Sequence, residues 1–197
     1  MLYEVPLGRT NEVAGAAADA FIGAGDPIGN FVFRDEPDHL AIKRRFYESL
    51  VLSCSPGVVI HGTSPGLEAV SIWFPPGMET PDDPPPEPFT GQDFKEQKTM
   101  EKLQSVNDVI DALTENLSKE PQWYLHLVAV RPQYKERGYA SLLVRPMLAR
   151  AGKEGLSCTL ITQSLENTLI YGHWGFKVVR EMPVPGSGER FFSMRKD

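Results

Sequence analysis

Residues 128–141 read VAVRPQYKERGYAS, and they pass from an apolar run through a basic turn and a glycine into a helical pattern. The apolar run begins at Trp123, so the pattern predicts a strand over residues 123–130. Apolar residues at spacings of three and four then predict a helix over residues 138–152. The first N–H groups of such a helix have no partner inside it, and they lie at the positive end of the helix dipole. We therefore predict an anion-binding turn over residues 135–141.

The turn does not match the two common nucleotide-binding loops. It lacks the second spaced glycine and the Lys-Ser/Thr pair of a P-loop, and it lacks the GxGxxG pattern of dinucleotide-binding folds. Gly138 permits a phosphate to approach the main chain closely. Arg131, Lys135 and Arg137 place positive charge nearby. These features predict binding of a phosphate group by backbone amides.

Residues 135–140 (KERGYA) resemble the pyrophosphate loop of the GCN5-related N-acetyltransferases, the GNAT family, whose pattern is Arg/Gln-x-x-Gly-x-Gly/Ala. Lys135 departs from the first position of that pattern, which weakens any side-chain role there but not the backbone contacts. Residues 167–176 (NTLIYGHWGF) resemble the family's Asn-x-x-x-Tyr-x-x-x-Gly-Phe helix and turn. The close resemblance covers about residues 123–182, and earlier segments fit more loosely.

The resemblance implies one GNAT domain over residues 1–197, with its cofactor-binding core at about 123–182. The implied fold class is α/β (α+β), with a mixed, mostly antiparallel central sheet that splays at the cofactor site and is flanked by helices. Seven of the 17 prolines lie within residues 75–88, so residues 75–92 are expected to form a loop. A lid or binding loop and a plain surface insertion are both open for it. The Gly- and Pro-containing stretch from residue 23 to 29 is expected to break a helix that starts near Thr10.

The resemblance also implies acetyl-CoA as the co-substrate and a primary amine as the acceptor, with direct attack in a ternary complex. In the family, pantetheine lies beside the splayed strand and the pyrophosphate binds to the turn. The thioester carbonyl would point to a main-chain N–H near Val128. The residues that this assigns to the cofactor are Val128, Ala129, Val130, Lys135, Glu136, Arg137, Gly138, Tyr139, Ala140, Ser141 and Asn167.

Tyr171 matches the family's general-acid tyrosine, which protonates the leaving thiolate. The alternative for Tyr171 is an aromatic ring packed under the turn. His126 is the expected base, directly or through water, because an imidazole pKa of about 6.5 suits proton relay. Tyr124 is a further catalytic candidate, since some relatives have Glu or His at its position, and Tyr124, His126 and Val128 would share one strand face. A structural role for His126 is equally open. The mechanism needs no metal, and no cluster of potential ligands has metal spacing.

The charge is unevenly distributed along the chain. The net charge is −6 overall, −11 over residues 1–122 and +5 over residues 123–197. The overall value argues against a nucleic-acid partner, and the asymmetry suits an anionic ligand on one side and a cationic acceptor on the other. The acceptor is expected to contact residues 26–38, residues 73–74 and the proline-rich loop, with Phe31, Asp35 and Trp73 as named contacts.

No apolar run approaches the roughly 18–20 residues of a membrane span, and the first ten residues do not resemble a secretory signal. Cys54 and Cys158 match no metal or redox spacing, and two free thiols suit a reducing compartment. We therefore expect a cytoplasmic enzyme, monomeric or homodimeric, that acts on a small-molecule amine or a peptide without nucleic-acid or membrane partners. A CoA-binding module of the same fold that has lost catalysis is the alternative, and transfer of a longer acyl chain or to a protein N-terminus also stays open.

Overall fold

The computed structural model describes residues 2–22, 26–54, 57–78, 94–115, 117 and 120–197. The strands are β1 (Tyr3–Glu4), β2 (Val59–Gly62), β3 (Ala69–Phe74), β4 (Trp123–Val130), β5 (Cys158–Gln163), β6 (Lys177–Pro183) and β7 (Arg190–Lys196). The helices are α1 (Thr10–Ile22), α2 (Pro27–Phe33), α3 (His39–Leu52), α4 (Gln97–Thr114), α5 (Tyr139–Glu154) and α6 (Leu165–Gly172), with short 3-10 turns at Leu7–Arg9 and Pro132–Tyr134.

The described strands form one seven-stranded sheet in the order β1-β2-β3-β4-β5-β7-β6. Neighbouring strands are antiparallel, except for β4 and β5, which are parallel. Helix α5 makes the crossover between these two, as a parallel connection requires. The predicted mixed, mostly antiparallel sheet with flanking helices is confirmed.

The sheet opens between its two parallel strands. Residues Trp123–Leu125 of β4 pair with Cys158–Leu160 of β5, although β4 continues for five more residues to Val130. Beyond this short ladder the two strands diverge, and one edge of β4 is left facing a cavity. The predicted splay is therefore present.

A β-bulge in β4 coincides with the point of divergence. On the β3 side, Leu127 is opposite Ile72 and Leu125 is opposite Trp73, so His126 is the extra residue between them. An extra residue bends its strand and increases the local twist. We attribute the divergence of β4 from β5 to this bulge, because the parallel pairing ends at the preceding residue.

Three apolar clusters position the elements. Helix α1 packs against β2, β3 and β4. Helix α5 packs against the other face of the sheet, over the fully buried Trp73 and Trp123. Helices α2, α3 and α4 form the third cluster with β7. The open edge of β4 therefore lies among helices that are each held in place by one of these three clusters.

Helix α2 occupies a stretch for which the sequence predicted a break. Asp26 caps it by accepting a hydrogen bond from the Gly29 N–H at 3.0 Å. Pro27 occupies the first turn, where the missing N–H has no intrahelical partner to lose. The prediction that the first helix ends before this stretch is confirmed, because α1 ends at Ile22. The separate helix from Pro27 was not predicted, although Asp-Pro is also a helix start. Residues 23–25 lie outside the described part of the chain.

Only residues 75–78 of the expected proline-rich loop are among the described residues; residues 79–92 lie outside them. The choice between a lid and a surface insertion stays a prediction. Among the helices that the structure describes, none combines the length and the apolar character needed to cross a membrane.

Candidate active site

Residues 135–141 lie at the surface where the chain enters α5. The backbone is left-handed at Glu136 and Gly138, with φ of +62° and +77°. The N–H groups of residues 136–141 donate to no acceptor in the described part of the chain, whereas the next N–H, of Leu142, donates to the Gly138 carbonyl at 3.1 Å. The six free donors lie at the positive end of α5. This arrangement is the one that binds phosphate groups at helix N-termini.

The turn at residues 135–141 is open above Gly138. A Cβ atom built on Gly138 meets nothing within 4 Å. The Lys135 N–H differs from the other predicted donors, because it donates to the Pro132 carbonyl at 3.3 Å. The Lys135 and Arg137 side chains are exposed, and the Arg137 guanidinium lies 5.5 Å from the Tyr134 ring centroid. Both cations are therefore within the same short turn as the free amides.

A cavity of about 1280 Å³ extends from the turn along β4 and into the space between α2, α3 and α4. Its wall includes residues 124–130 of β4 and residues 161–163 of β5. All of the predicted cofactor residues except Arg137 line it. Small-ligand sites commonly measure about 300–1,000 Å³. This cavity therefore has room for a large co-substrate and an acceptor together.

Tyr171 of α6 lies on the cavity wall. Burial raises the pKa of its hydroxyl to about 12, against the smaller effect of a hydrogen bond with Thr162. The ring packs edge-on against Trp174 and Phe176, with centroids 5.5 and 6.0 Å away. Tyr171 therefore keeps its proton at neutral pH, and its side chain forms part of the cavity wall.

Two hydrogen bonds join α6 to the rest of the site. The Asn167 Nδ2 group donates to the Gln163 carbonyl at the end of β5, at 2.7 Å. Beyond α6, the Trp174 Nε1 group donates to Ser141 Oγ in the first turn of α5, at 3.1 Å. The structure thus brings together the two sequence segments that carried the family resemblance.

His126 lies at the bulge, also on the cavity wall. Its ring is 5.2 Å from the Phe74 ring and 6.3 Å from the Tyr124 ring, centroid to centroid. Burial lowers the pKa of the imidazole to about 4. The sequence argument relied on an unperturbed pKa of about 6.5, so His126 is a weaker base than that argument assumed, and it is neutral at neutral pH.

The bulge also changes which side chains of β4 share a face. Tyr124 packs against the cluster that contains Leu127 and Ala129, whereas Val128 packs against the α5 cluster. The prediction that Tyr124, His126 and Val128 share one face was wrong, because one extra residue shifts the alternation of a strand by one position.

Residues 103–169 match the model of the acetyltransferase (GNAT) family. The match extends from α4 through β4, the turn at residues 135–141, α5 and β5 into α6. This part of the chain matches the GNAT family. The match confirms the resemblance seen in the sequence. It also confirms, at the level of the family, the assignment of the protein as an acyltransferase enzyme. Enzymes of the GNAT family use acetyl-CoA.

Solved GNAT structures resemble the whole chain. One, from Corynebacterium glutamicum, is described as histone acetyltransferase HPA2 and related acetyltransferase; it is 19% identical, with 100% of this chain and 94% of that chain covered at a TM-score of 0.64. Mosquito arylalkylamine N-acetyltransferase-like 5b is 14% identical, with 100% and 98% covered at 0.61. The Drosophila melanogaster polyamine N-acetyltransferase is 13% identical, with 99% and 98% covered at 0.62. At these identities the likeness shows a shared fold.

The three residues predicted to contact the acceptor do not line this cavity. Trp73 is fully buried in the α5 cluster, and Phe31 is buried in the α2–α4 cluster. Asp35 forms an ion pair with Lys102 at 2.6 Å. They were chosen by residue type, and the packing of α2 and β3 turns them toward the core or toward α4. Other residues of α2, α3 and α4 line the end of the cavity away from the turn. We call this end the acceptor half, because the acceptor is expected there.

The sequence analysis missed a buried polar cluster at that end of the cavity. The Asp26 carboxylate accepts hydrogen bonds from the Gly29 N–H, from Gln163 Nε2 at 2.8 Å and from the Tyr47 hydroxyl, and it lies 3.4 Å from Lys43 Nζ. Burial and the Asp26 charge raise the pKa of Tyr47 well above its usual value. The cluster joins α2, α3 and β5. The Asp-Pro capping signal could have located Asp26, but nothing in the sequence indicated its partners.

Proposed function

We propose that the protein is an N-acetyltransferase that moves an acetyl group from acetyl-CoA to a primary amine by direct attack in a ternary complex. One observation carries this proposal: a single cavity joins the free amides of the turn, the open edge of β4 and the Tyr171 hydroxyl. The family match supports acyl transfer, and the dimensions of the cavity support simultaneous binding of two substrates.

The residues present fit coenzyme A. The free N–H groups of residues 136–141 suit its pyrophosphate, and Lys135 and Arg137 add positive charge. The main-chain groups of residues 128–130, on the unpaired side of β4, suit the amides of pantetheine. Asn167 contributes to the same wall by holding α6 against the end of β5.

In the proposed reaction, a bond forms between the amine nitrogen and the acetyl carbon, and the bond from that carbon to the coenzyme A sulfur breaks. Tyr171 donates a hydrogen bond to the departing thiolate. A thiol has a pKa of about 8.5, well below the value of about 12 for Tyr171. The proton therefore stays mainly on Tyr171, and we assign Tyr171 to stabilising the negative charge that develops on the sulfur through this hydrogen bond. A main-chain N–H near Val128 would stabilise the carbonyl oxygen in the same way.

The amine must lose a proton, because an alkylammonium has a pKa of about 10. Neutral His126 is our candidate for the base that takes this proton, directly or through a water molecule. Tyr124 lies beside it on the cavity wall. The His126 pKa of about 4 means that the imidazole passes the proton on to solvent and does not retain it.

A small amine is the proposed acceptor. Structural relatives include arylalkylamine, agmatine and polyamine N-acetyltransferases. The negative charge of residues 1–122 suits a cation. A peptide acceptor and a longer acyl donor remain alternatives. We also propose that residues 1–197 form one domain, because one sheet includes strands from β1 to β7. A cytoplasmic location and the monomer-or-homodimer state stay predictions.

The test measures thiol release from acetyl-CoA over a panel of arylalkylamines, polyamines, aminoglycosides, amino acids and short peptides. Thermal shift with acetyl-CoA alone runs in parallel. We expect thermal stabilisation by acetyl-CoA and thiol release that requires an amine. Stabilisation without release for every amine would indicate the catalytically silent CoA-binding module. Absence of both would contradict the proposed function.

A further inference from the structure

Gln163, the last residue of β5, links two parts of the cavity wall that are far apart in the sequence. Its side-chain Nε2 group donates a hydrogen bond to Asp26 at the start of α2, at 2.8 Å. Its main-chain carbonyl accepts a hydrogen bond from Nδ2 of Asn167, in the first turn of α6, at 2.7 Å. Gln163 therefore connects α2 directly to α6.

The Asp26 end of this link is a fixed point. The Asp26 carboxylate is buried, with 3% of the residue exposed. It also accepts hydrogen bonds from the Gly29 N–H and the Tyr47 hydroxyl, and it lies 3.4 Å from Lys43 Nζ. These partners belong to α2 and α3, which share one apolar cluster. A hydrogen bond to a charged acceptor is stronger than one between neutral groups, so Asp26 holds the Gln163 side chain in place.

The other end of the link adjoins a strained residue. Ser164 connects β5 to α6 with φ +75° and ψ 143°, a conformation that residues other than glycine rarely adopt. Its Oγ atom accepts a hydrogen bond from the Asn167 N–H at 3.3 Å and so caps α6. A strained conformation persists only where the surrounding contacts enforce it. The contacts beside Ser164 are this cap and the two hydrogen bonds of Gln163.

Helix α6 carries Tyr171 and has little core of its own. Of its residues Leu165–Gly172, all within the described part of the chain, Thr168 alone is buried. Tyr171 follows Asn167 by four residues, so the two lie on one face of α6. The direction in which the chain leaves Gln163 therefore helps to set where the Tyr171 hydroxyl lies.

We propose, resting on the N-acetyltransferase function above, that Gln163 is a positioning residue for Tyr171. Its hydrogen bond to Asp26 holds the strained entry to α6, and this keeps the Tyr171 hydroxyl in place for the departing thiolate. Gln163 acts through Tyr171 and takes no part in bond making or breaking. Releasing Gln163 should therefore slow acetyl transfer without changing the binding of acetyl-CoA.

The test removes the side-chain amide of Gln163 in two backgrounds, with the amine that the panel identifies. Gln163→Leu should lower kcat about tenfold in the otherwise wild-type enzyme, because a small misplacement of a reacting group costs rate. The Kd of acetyl-CoA should stay within about twofold. In the Tyr171→Phe background the same change should lower kcat by less than about twofold, since the hydroxyl that Gln163 positions is already absent. A residue that only supports the fold would lower kcat by the same factor in both backgrounds.

Gln163→Glu is the second variant, because it keeps the size of the side chain. The introduced carboxyl group can donate to Asp26 when it is protonated, and it repels Asp26 when it is ionised. Burial beside Asp26 should raise its pKa above the usual value of about 4.3. The ratio of variant to wild-type kcat should therefore fall about fivefold from about pH 5.5 to 8.5.

The other titratable groups in the Asp26 cluster or on this cavity wall are Lys43 and Tyr47 of α3, Glu166 and Tyr171 of α6 and His126 of β4. Burial raises the pKa of both tyrosines and lowers that of His126 to about 4, so none of these three changes charge over that pH range. A ratio that does not change with pH would contradict the role of the hydrogen bond to Asp26.

Gln104→Leu is the matched control. It removes another hydrogen bond from a glutamine Nε2 group to an aspartate, Asp108, at 2.7 Å on the exposed side of α4, and it should keep the wild-type kcat. An equal fall in kcat for Gln163→Leu in both backgrounds, or no fall in either, would overturn the inference and leave the N-acetyltransferase function standing. If the wild type binds acetyl-CoA and acetylates no amine, the proposed function fails and the inference fails with it.

Discussion

Gly138 combines a left-handed backbone with open space above its α-carbon, and a side chain would remove both. We predict that Gly138→Glu weakens acetyl-CoA binding at least about a hundredfold, because it strains the turn and places a negative charge beside the pyrophosphate. Isothermal titration calorimetry measures the change. Gly152→Glu is the matched control: Gly152 is exposed in the same helix with nothing within 4 Å of a built Cβ. Unchanged affinity in Gly138→Glu would place the pyrophosphate elsewhere.

Tyr171 can be separated from its packing role by removing its oxygen alone. Tyr171→Phe should lower kcat by about a hundredfold, since it removes a donor to the leaving group, and should leave the Kd of acetyl-CoA within about twofold. Burial holds the pKa of Tyr171 at about 12, so the hydroxyl stays protonated as the pH rises to about 10. The ratio of wild-type to variant kcat should therefore be constant from about pH 7 to 10. A loss of acetyl-CoA affinity with little change in kcat would show that Tyr171 packs and does not donate.

At the scale of elements, the Asp26 cluster fixes α2 and α3 against the end of β5. Asp26→Ala removes the α2 cap and leaves Lys43, 2% exposed, without its buried counter-charge. We predict a loss of about 3–5 kcal/mol in the free energy of unfolding, measured by urea denaturation. Asp26→Ala combined with Lys43→Met should lose less, because the unpaired charge is gone. The ion-pair explanation is wrong if the double variant is no more stable than the single one.

The same elements show what the sequence alone predicts. The strand Trp123–Val130 and the helix Thr10–Ile22 have the bounds that their patterns predicted. The bulge at His126 was not predictable, since it depends on how β3 pairs with β4. The role of Asp26 was missed for a similar reason. Its importance comes from neighbours on other elements that are distant in sequence.

The proposed cofactor half of the site was the more predictable half. It consists of backbone groups in one continuous stretch, residues 128–141, so a local pattern could reveal it. The acceptor half is assembled from side chains of α2, α3, α4 and β5. The face that each helix presents there is set by tertiary packing. This is why Phe31, Asp35 and Trp73 fit the expected chemistry and yet lie off the wall.

Across the whole molecule, the charge changes sign along the chain, from −11 over residues 1–122 to +5 over residues 123–197. Electrostatic steering of a cationic acceptor toward the acidic portion should be screened by salt. We predict that kcat/KM for an amine acceptor falls as ionic strength rises from about 0.01 to 1 M, a range over which the Debye length shortens from about 30 to 3 Å. Steady-state kinetics should show this fall while kcat at saturation changes little. Salt-independent kcat/KM would count against steering.

The early end of the parallel ladder between β4 and β5 has a consequence for the cohesion of the molecule. One group of strands, β1 to β4, meets the other, β5 to β7, through three residue pairs. Pantetheine lying along the rest of β4 would take the place that a paired β5 backbone would otherwise occupy. It would then connect the two groups of strands over the remaining length of β4. Loading the enzyme with its donor would then also be the event that completes the architecture.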